Sequence, residues 1–326
     1  MFKDSLRLGF KAGSAWRKPR TILAIRRNLF DAPLYFLFTA AVFTSCHGVE
    51  GENDLNEIRL GAGTPGALVA KAPVNPNSIF ESAVAGWETS AAVDYSQDAS
   101  WQSGSVIVAQ PTPVPVNLNP QQYYSPDDNV KTYIKAWHPS GELNAGIVSF
   151  DNDSATLDVL LTTKPVVGSK LDATGKNLTF DHLTTQIRFK VKADESLDSG
   201  TTLAYIRIKN AGMPTGINLI DNSLRVSPAG SDGIEVPGIG TQDTIGPNAV
   251  SVGKAVMVEP IAGNILRLDV ATSGAVFEDV TATINDADFQ AGTAYTITLT
   301  FLQGGISLSA SITPWKEEEG SGIIMY

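Results

Sequence analysis

The clearest chemistry in this chain lies near its start. Cys46 is the single cysteine among 326 residues; it follows an apolar run from Ala32 to Ser45, which Arg26 and Arg27 precede. Basic residues, then apolar ones, then the small Thr44 and Ser45 form the layout of a secretory signal peptide. A thiol placed there resembles the lipid-acceptor position of a bacterial lipoprotein, so the chemistry expected of Cys46 is acylation. The alternative is an ordinary buried free cysteine, since Cys is among the most buried residue types. A lone cysteine closes no internal disulfide. Other reactive side chains do not assemble into a recognisable reaction. His138 and His182 have no catalytic setting in the sequence, and the Gly-x-Ser-x-Gly elbow is absent. Asp151-Asn-Asp153 alternates acids like a calcium loop but lacks the glycine and distal glutamate of an EF-hand. Gly238-Ile-Gly240 has no Lys-Ser/Thr to hold a phosphate. No catalytic residue, metal site or cofactor is therefore predicted.

Charge separates the leader from the rest. Residues 1–45 carry eight basic residues against Asp4 and Asp31, which leaves 16 basic and 32 acidic residues on the exported part, a net charge of −16. Such a surface does not seek nucleic acid or anionic lipid. The apolar run falls short of the roughly 20 residues a spanning helix needs. The exported chain is long enough for two ordinary domains with their own cores.

The elements that must carry any site are strands. Residues 47–71 begin polar and glycine-rich, as a tether should, with a short strand candidate at Glu57 to Gly61. Further on, Gln186-Ile-Arg-Phe-Lys-Val-Lys192 and Tyr295-Thr-Ile-Thr-Leu-Thr-Phe301 alternate apolar and polar residues, the period of a strand with one buried face. Strands are also expected at Ser105 to Val108, Leu157 to Leu161, Leu203 to Ile208, Ile265 to Val270 and Ile306 to Ile312, with Pro-rich turns at Pro111 to Pro115. No capped amphipathic helix is found after residue 46. The polar stretch Ala193 to Gly200 reads as the seam between two β-sandwich domains. The expected organisation is a signal peptide at 1–45, a lipidated tether with the first strand at 46–71, and β-sandwiches at 72–194 and 195–326.

Several segments, taken in order, resemble the fimbrillin family of Bacteroidales, the pilins and tip proteins of type V pili. Leu178-Thr-Phe180-Asp-His182, leading into the alternating strand at Ile187 and Phe189, resembles the family's Phe-x-His and the strand after it. Glu57-Ile-Arg-Leu60 followed by Ala70-Lys71-Ala72 is similar to its first strand and the Thr-Arg-Ala after it. Tyr133-Ile-Lys-Ala-Trp137-His-Pro139 resembles its Tyr-x-x-x-Tyr-Tyr-Pro, and Tyr295 to Phe301, Ile306 to Ile312 and Trp315 its closing strand pair. The resemblance implies an all-β chain of two tandem transthyretin-like β-sandwiches and no enzyme. It also implies a lipidated precursor anchored through Cys46 to outer-membrane lipid and displayed at the cell surface as part of a fimbrium. Cleavage after Lys71, or after Arg59 inside the strand, would release the removable strand Glu57, Ile58, Arg59, Leu60 and Gly61. A neighbouring subunit would then fill the groove, with Ile323, Ile324, Met325 and Tyr326 as the candidate donor strand. The implied partners are other pilus subunits and a host or bacterial surface ligand.

Asp153-Ser154-Ala155 and Asp243-Thr244-Ile245 resemble the short O-glycan acceptor sites of Bacteroides-type bacteria, which marks Ser154 and Thr244. A competing reading is a monomeric surface lipoprotein that binds glycans, with Trp87, Trp101, Tyr123, Tyr124 and Trp137 stacking on sugars. That reading requires exposed, coplanar rings.

Overall fold

The computed structural model describes residues 56–64, 78–240 and 244–313. Cys46, Lys71, Trp315 and the segment Ile323 to Tyr326 lie outside the described residues. Every regular element described is a strand, and no helix among the described residues is long and apolar enough to cross a membrane. In chain order the first strands are β1 (Leu60–Gly63), β2 (Ile79–Thr89), β3 (Trp101–Val108), β4 (Val114–Val116), β5 (Lys131–His138), β6 (Glu142–Asn144) and β7 (Ile147–Ser149). Then come β8 (Leu160–Leu161), β9 (Val166–Gly168), β10 (Lys176–Thr179), β11 (Asp181–His182), β12 (Thr185–Ala193), β13 (Leu203–Ile208) and β14 (Gly212–Asn218). The last are β15 (Ser223–Pro228), β16 (Ile234–Glu235), β17 (Val250–Val258), β18 (Ile265–Thr272), β19 (Val276–Thr283), β20 (Ala294–Leu302) and β21 (Gly305–Thr313).

The second lobe is a β-sandwich. One sheet has the order β17-β12-β20-β21 and the other β16-β13-β18-β19. Ile187, Phe189 and Val191 of β12 and Tyr295, Ile297, Leu299 and Phe301 of β20 point inward at every second position, as their alternation predicts, and meet Ile206, Ile208, Leu266 and Leu268 of the facing sheet. Each such side chain contributes about 1.5–3 kcal/mol on leaving water.

The first lobe has three layers. Its middle sheet has the order β11-β8-β5-β2-β3, with β9 also on β5. Phe80 and Val84 of β2 enter one core with Leu60, Ile107, Ile134 and Leu178, whereas Ala85 and Trp87 enter another with Val148, Ile217 and Leu219. Successive residues of a strand face opposite sides, so this sheet is covered twice. The covers are the sheet β10-β1-β4 on one face and β15-β14-β7-β6 on the other. A strand buried on both faces loses its polar alternation, which is why Ala83 to Trp87 and Tyr133 to Trp137 read as mixed apolar runs.

Strand pairing crosses position 194 in both directions. β12 pairs with β17 and β20 downstream, while β14 pairs back with β7 through Gly216↔Ser149, Ile217↔Val148 and Asn218↔Ile147. A cut between 194 and 195 would part β12 from its sheet and strip the β14–β15 hairpin from the first lobe.

Candidate functional site

The segment around β1 alternates Ile58, Leu60, Ala62 and Thr64 with Glu57, Arg59, Gly61 and Gly63. The first set is almost wholly buried, at 2, 4, 0 and 0 % exposure. Its apolar members pack on Phe80, Ile107, Leu118, Ile134 and Phe180. The other set faces outward under a low roof. A Cβ on Gly63 would lie 3.1 Å from the Gln110 carbonyl oxygen and 3.3 Å from Pro113 N, and one on Gly61 would lie 2.6 Å from Asn177 Oδ1. Larger residues do not fit there without displacing backbone or Asn177. A groove of about 460 Å³ runs along this outer side, between Pro113 to Asn117 and Gly175 to Asn177.

Both backbone edges of the segment are used. β1 runs parallel to β10 from Leu60↔Lys176 to Gly63↔Thr179, and antiparallel to β4 from Leu60↔Val116 to Ala62↔Val114. Beyond the strand, Ile58 N donates to Gln122 O at 3.0 Å, Tyr124 N to Asn56 O at 2.8 Å and Thr64 N to Gln110 O at 2.9 Å. Lys176 N donates to Arg59 O at 3.1 Å and Phe180 N to Gly63 O at 3.0 Å. The expected strand at Glu57 to Gly61 is thus observed with its ladder displaced toward Gly63, preceded by the single bridge Glu57↔Tyr123. If β1 left, β4 and β10 would each present an unpaired edge to an apolar slot, a template for another strand.

The walls of this slot are what sequence reading missed. Val114-Pro-Val116 reads as part of a turn, yet it forms β4; Pro115 is tolerated because β4 lies at the border of its sheet, where a missing N–H need not break a ladder. Lys176-Asn-Leu178-Thr-Phe180 carried a signal, an alternation of buried Leu178 and Phe180 with polar neighbours.

The two basic residues marked for processing differ in setting. The Arg59 guanidinium is largely exposed and bonds Glu57 at 3.0 Å, while its carbonyl belongs to the contact with Lys176. Lys71 belongs to the connection from β1 to β2 and lies outside the described residues. Ser154 and Thr244 are both exposed.

The aromatic residues do not form a stacking platform. Trp87, Trp137 and Tyr124 are buried at 3, 0 and 2 % exposure. Trp87 donates from Nε1 to Gln97 O at 3.0 Å and meets Tyr95 edge-on. Trp101 lies so close over Gly86, its partner on β2, that a Cβ there would sit 2.2 Å from the ring. Only Tyr123 of the five is exposed. Fully burying large rings releases more free energy than presenting them to solvent.

His182 lies in a polar knot. Its Nδ1 is 2.8 Å from Asp158 Oδ2, and Thr184 Oγ1 donates to Asp158 Oδ1 at 2.9 Å. Burial disfavours a charged imidazole here, but the Asp158 carboxylate and its hydrogen bond outweigh that and raise the His182 pKa. Asp158 is wholly buried, so the arrangement ties β8 and β11 to the start of β12 rather than facing a substrate. In the calcium-like run, Asn152 is buried and donates to Pro214 O at 3.0 Å, which turns Asp151 and Asp153 outward as an exposed turn.

Three comparisons bear on this geometry. A fimbrial protein from Bacteroides vulgatus aligns with a TM-score of 0.51 at 14% identity, over 80% of this chain and 100% of its own. A candidate cell adhesion protein from Bacteroides uniformis aligns with a TM-score of 0.48 at 18% identity, over 80% and 98%. The tip fimbrial protein Mfa3 from Porphyromonas gingivalis, with a C-terminal truncation, aligns with a TM-score of 0.36 at 10% identity, over 79% and 100%. No curated protein matches the chain. The sequence pattern of a family described as fimbrillin-like matches residues 93–315, which take in the second lobe and the first lobe from β3 onward, and the chain therefore belongs to the fimbrillin-like family.

Proposed function

We propose that this protein is a structural subunit or a tip or accessory component of a cell-surface pilus, contributing to adhesion by assembly rather than by catalysis. Membership of the fimbrillin-like family supports this reading, as does one fold relative named as a fimbrial protein. In the fuller form of the proposal, the precursor is exported and acylated at Cys46, which anchors it in the outer membrane. A protease cuts after a basic residue, β1 leaves, and a strand of another subunit takes its place. The segment Ile323 to Tyr326 is the candidate donor, and Ser154 and Thr244 are candidate glycan acceptors on exposed surface.

The observation that carries the mechanism is the position of β1. It is a central strand that fills an apolar slot with Ile58, Leu60 and Ala62, and its covalent link to the strands that follow runs through residues 65–77. Lys71 is the favoured processing residue, because the backbone at Arg59 is already hydrogen-bonded to Lys176.

Limited trypsin digestion of the purified precursor tests this. Cleavage at Lys71 should yield a chain starting at Ala72 that sheds its first strand and forms ladders on gels. A synthetic peptide spanning Asn56 to Thr64 should block the ladders by refilling the slot. A cleaved chain that stays monomeric and ignores the peptide would overturn strand exchange at β1.

A further inference from the structure

The slot that β1 fills is selective along its length. Inward it takes two large side chains, Ile58 and Leu60, and then only the methyl group of Ala62. Outward it leaves no room for a side chain at two positions. A Cβ on Gly63 would press on backbone, the Gln110 carbonyl oxygen and Pro113 N, and one on Gly61 would meet Asn177 Oδ1 at 2.6 Å and the Val114 carbonyl oxygen at 3.4 Å. A strand that takes this slot therefore needs a Gly-small-Gly triplet, with apolar residues one and three positions beyond one end of it, because overfilling a packed site is costly. Three Gly-x-Gly triplets occur in the chain: Gly61-Ala-Gly63 itself, Gly238-Ile-Gly240 and Gly320-Ser-Gly322. At the required distances the second has Pro237 and Glu235 on one side and Thr241 and Asp243 on the other. The third has Ile323 and Met325, but after the triplet, where β1 has Leu60 and Ile58 before it.

That order of residues demands a strand running opposite to β1, and the sheet accepts one. The inward Ile58 and Thr64 direct their N–H groups to the β4 side, at Gln122 O and Gln110 O, while the outward Arg59 and Gly63 offer their carbonyl oxygens to Lys176 N and Phe180 N on the β10 side. Turning a strand end for end, with the same positions facing the core, exchanges these two sides. Because β1 is parallel to β10 and antiparallel to β4, the reversed strand is antiparallel to β10 and parallel to β4, so one ladder of each kind remains. In the direction of β1 itself the segment does not fit. With Ile323, Ile324 or Met325 in the place of Leu60, the residue in the place of Gly61 is Ile324, Met325 or Tyr326.

We infer that the segment Gly320 to Tyr326 of a second copy enters the slot antiparallel to the strand it replaces, with Gly320 and Gly322 as the residues that decide the fit. Ile323 takes the pocket of Leu60, the unbranched Met325 adapts to that of Ile58, Ser321 stands for Ala62 with one added oxygen, and Gly322 and Gly320 lie where Gly61 and Gly63 lay. This rests on the departure of β1 proposed above and adds the direction and register of its replacement. The whole precursor is cut with trypsin, the protease is quenched, and the peptide Glu319 to Tyr326 is added; native mass spectrometry then measures how tightly the cleaved chain holds it. Gly322→Val, Gly320→Val and Ile323→Ser peptides should bind about tenfold more weakly. Ile324→Ser, outward in the place of the exposed Arg59, should change binding by less than about twofold. Equal losses from Ile323→Ser and Ile324→Ser, or glycine variants that bind like the unaltered peptide, overturn the register. Direction is read with Tyr123→Cys, an exposed position bridged to Glu57, since Cys46 leaves with residues 1–71. On mild oxidation this variant should form a disulfide with a Tyr326→Cys peptide and not with a Glu319→Cys peptide, and any other result overturns the direction. A cleaved chain that binds a peptide spanning Asn56 to Thr64 but not Glu319 to Tyr326 overturns the replacement and leaves the departure of β1 standing; one that binds neither overturns both.

Discussion

Two pairs of strands run parallel among the described residues, and they are held very differently. β1 matches β10 over four positions and β4 over three, whereas β20 matches β12 over eight and β21 over nine. Both β1 and β20 are central strands whose apolar side chains enter a core. Their attachments differ: β20 continues into β21 through the short turn at Gln303 and Gly304, while β1 reaches β2 through residues 65–77. A strand with few pairings and a long connection opens locally, and one with many does not open without its whole lobe. In the proposed mechanism separability therefore belongs to β1 and its two short neighbours, not to central strands in general.

The largest effects break that comparison at its core. Ile297 is wholly buried in β20, and Ile297→Asp should cost more than about 4 kcal/mol by burying an unpaired charge, leaving little folded protein. Leu60→Asp in β1 should cost about 3 kcal/mol, and the loss should stay local. Hydrogen exchange by mass spectrometry should then show faster exchange in β4 and β10 and unchanged protection in β12 and β20. If Leu60→Asp accelerates both sets alike, β1 is not separable from the second lobe.

Besides its pairing with β7, the β14–β15 hairpin is held to β5 of the first lobe by a buried lysine. Lys135, 1 % exposed, donates from Nζ to Leu219 O and to Asn222 Oδ1, the latter at 2.6 Å, and stands 4.2 Å over the Tyr95 ring. Burial pushes its pKa down to about 8, against the pull of Asp221. Between that value and the ordinary 10.5 the unfolded chain holds a proton that the folded one lacks, so stability rises with pH across this window. Lys135→Met should abolish the rise and cost about 2 kcal/mol at neutral pH, because Leu219 and Asn222 lose this donor. Urea melts of both proteins at pH 7, 8 and 10 measure it. A variant with the same pH dependence would remove Lys135 as the link.

Alternation made the second lobe legible. The pattern at Gln186 to Lys192 and Tyr295 to Phe301 became β12 and β20, and Leu203 to Ile208 became β13 with the same bounds, because each has one buried and one open face. The first lobe was harder to read because its middle sheet is covered twice, which erases the alternation in β2 and β5. The β14–β15 hairpin was missed for a different reason. Gly212-Met-Pro-Thr-Gly216 looks like turn chemistry, but Gly216 is required because a Cβ would sit 2.3 Å from Val148 O of β7. No local pattern announces a contact made with a strand more than sixty residues upstream. At the candidate site the filler strand could be seen in Ile58 and Leu60, whereas its wall β4 was hidden by Pro113 and Pro115.

A smaller effect probes the knot where the chain passes from one lobe to the other. The folded pKa of His182 lies above the ordinary 6.5, with burial opposing and Asp158 prevailing. Its contribution to stability is full below pH 6.5 and is lost as pH rises through the raised value. Melting temperature should therefore fall above pH 6.5, and Asp158→Asn should remove that part of the slope. A slope that survives in Asp158→Asn would assign it to another group.

The smallest change tests whether β1 leaves as a unit. The Arg59 pair with Glu57 is exposed, so Arg59→Ala should alter stability by less than about 0.5 kcal/mol. Its effect on processing decides more. Proteases need an extended, unpaired segment, and attack on a paired one tracks the small population in which it opens. The Arg59 carbonyl accepts from Lys176 N, so under brief trypsin treatment Arg59→Ala should be cut like the unaltered protein, while Lys71→Ala should resist. The opposite result would place the cut inside the filler. Ile58 would then leave with the released piece, but Leu60 and Ala62 would stay on the chain and continue to occupy the slot. In that case β1 would not depart as a unit, and its contrast with β20 would reduce to a difference in length.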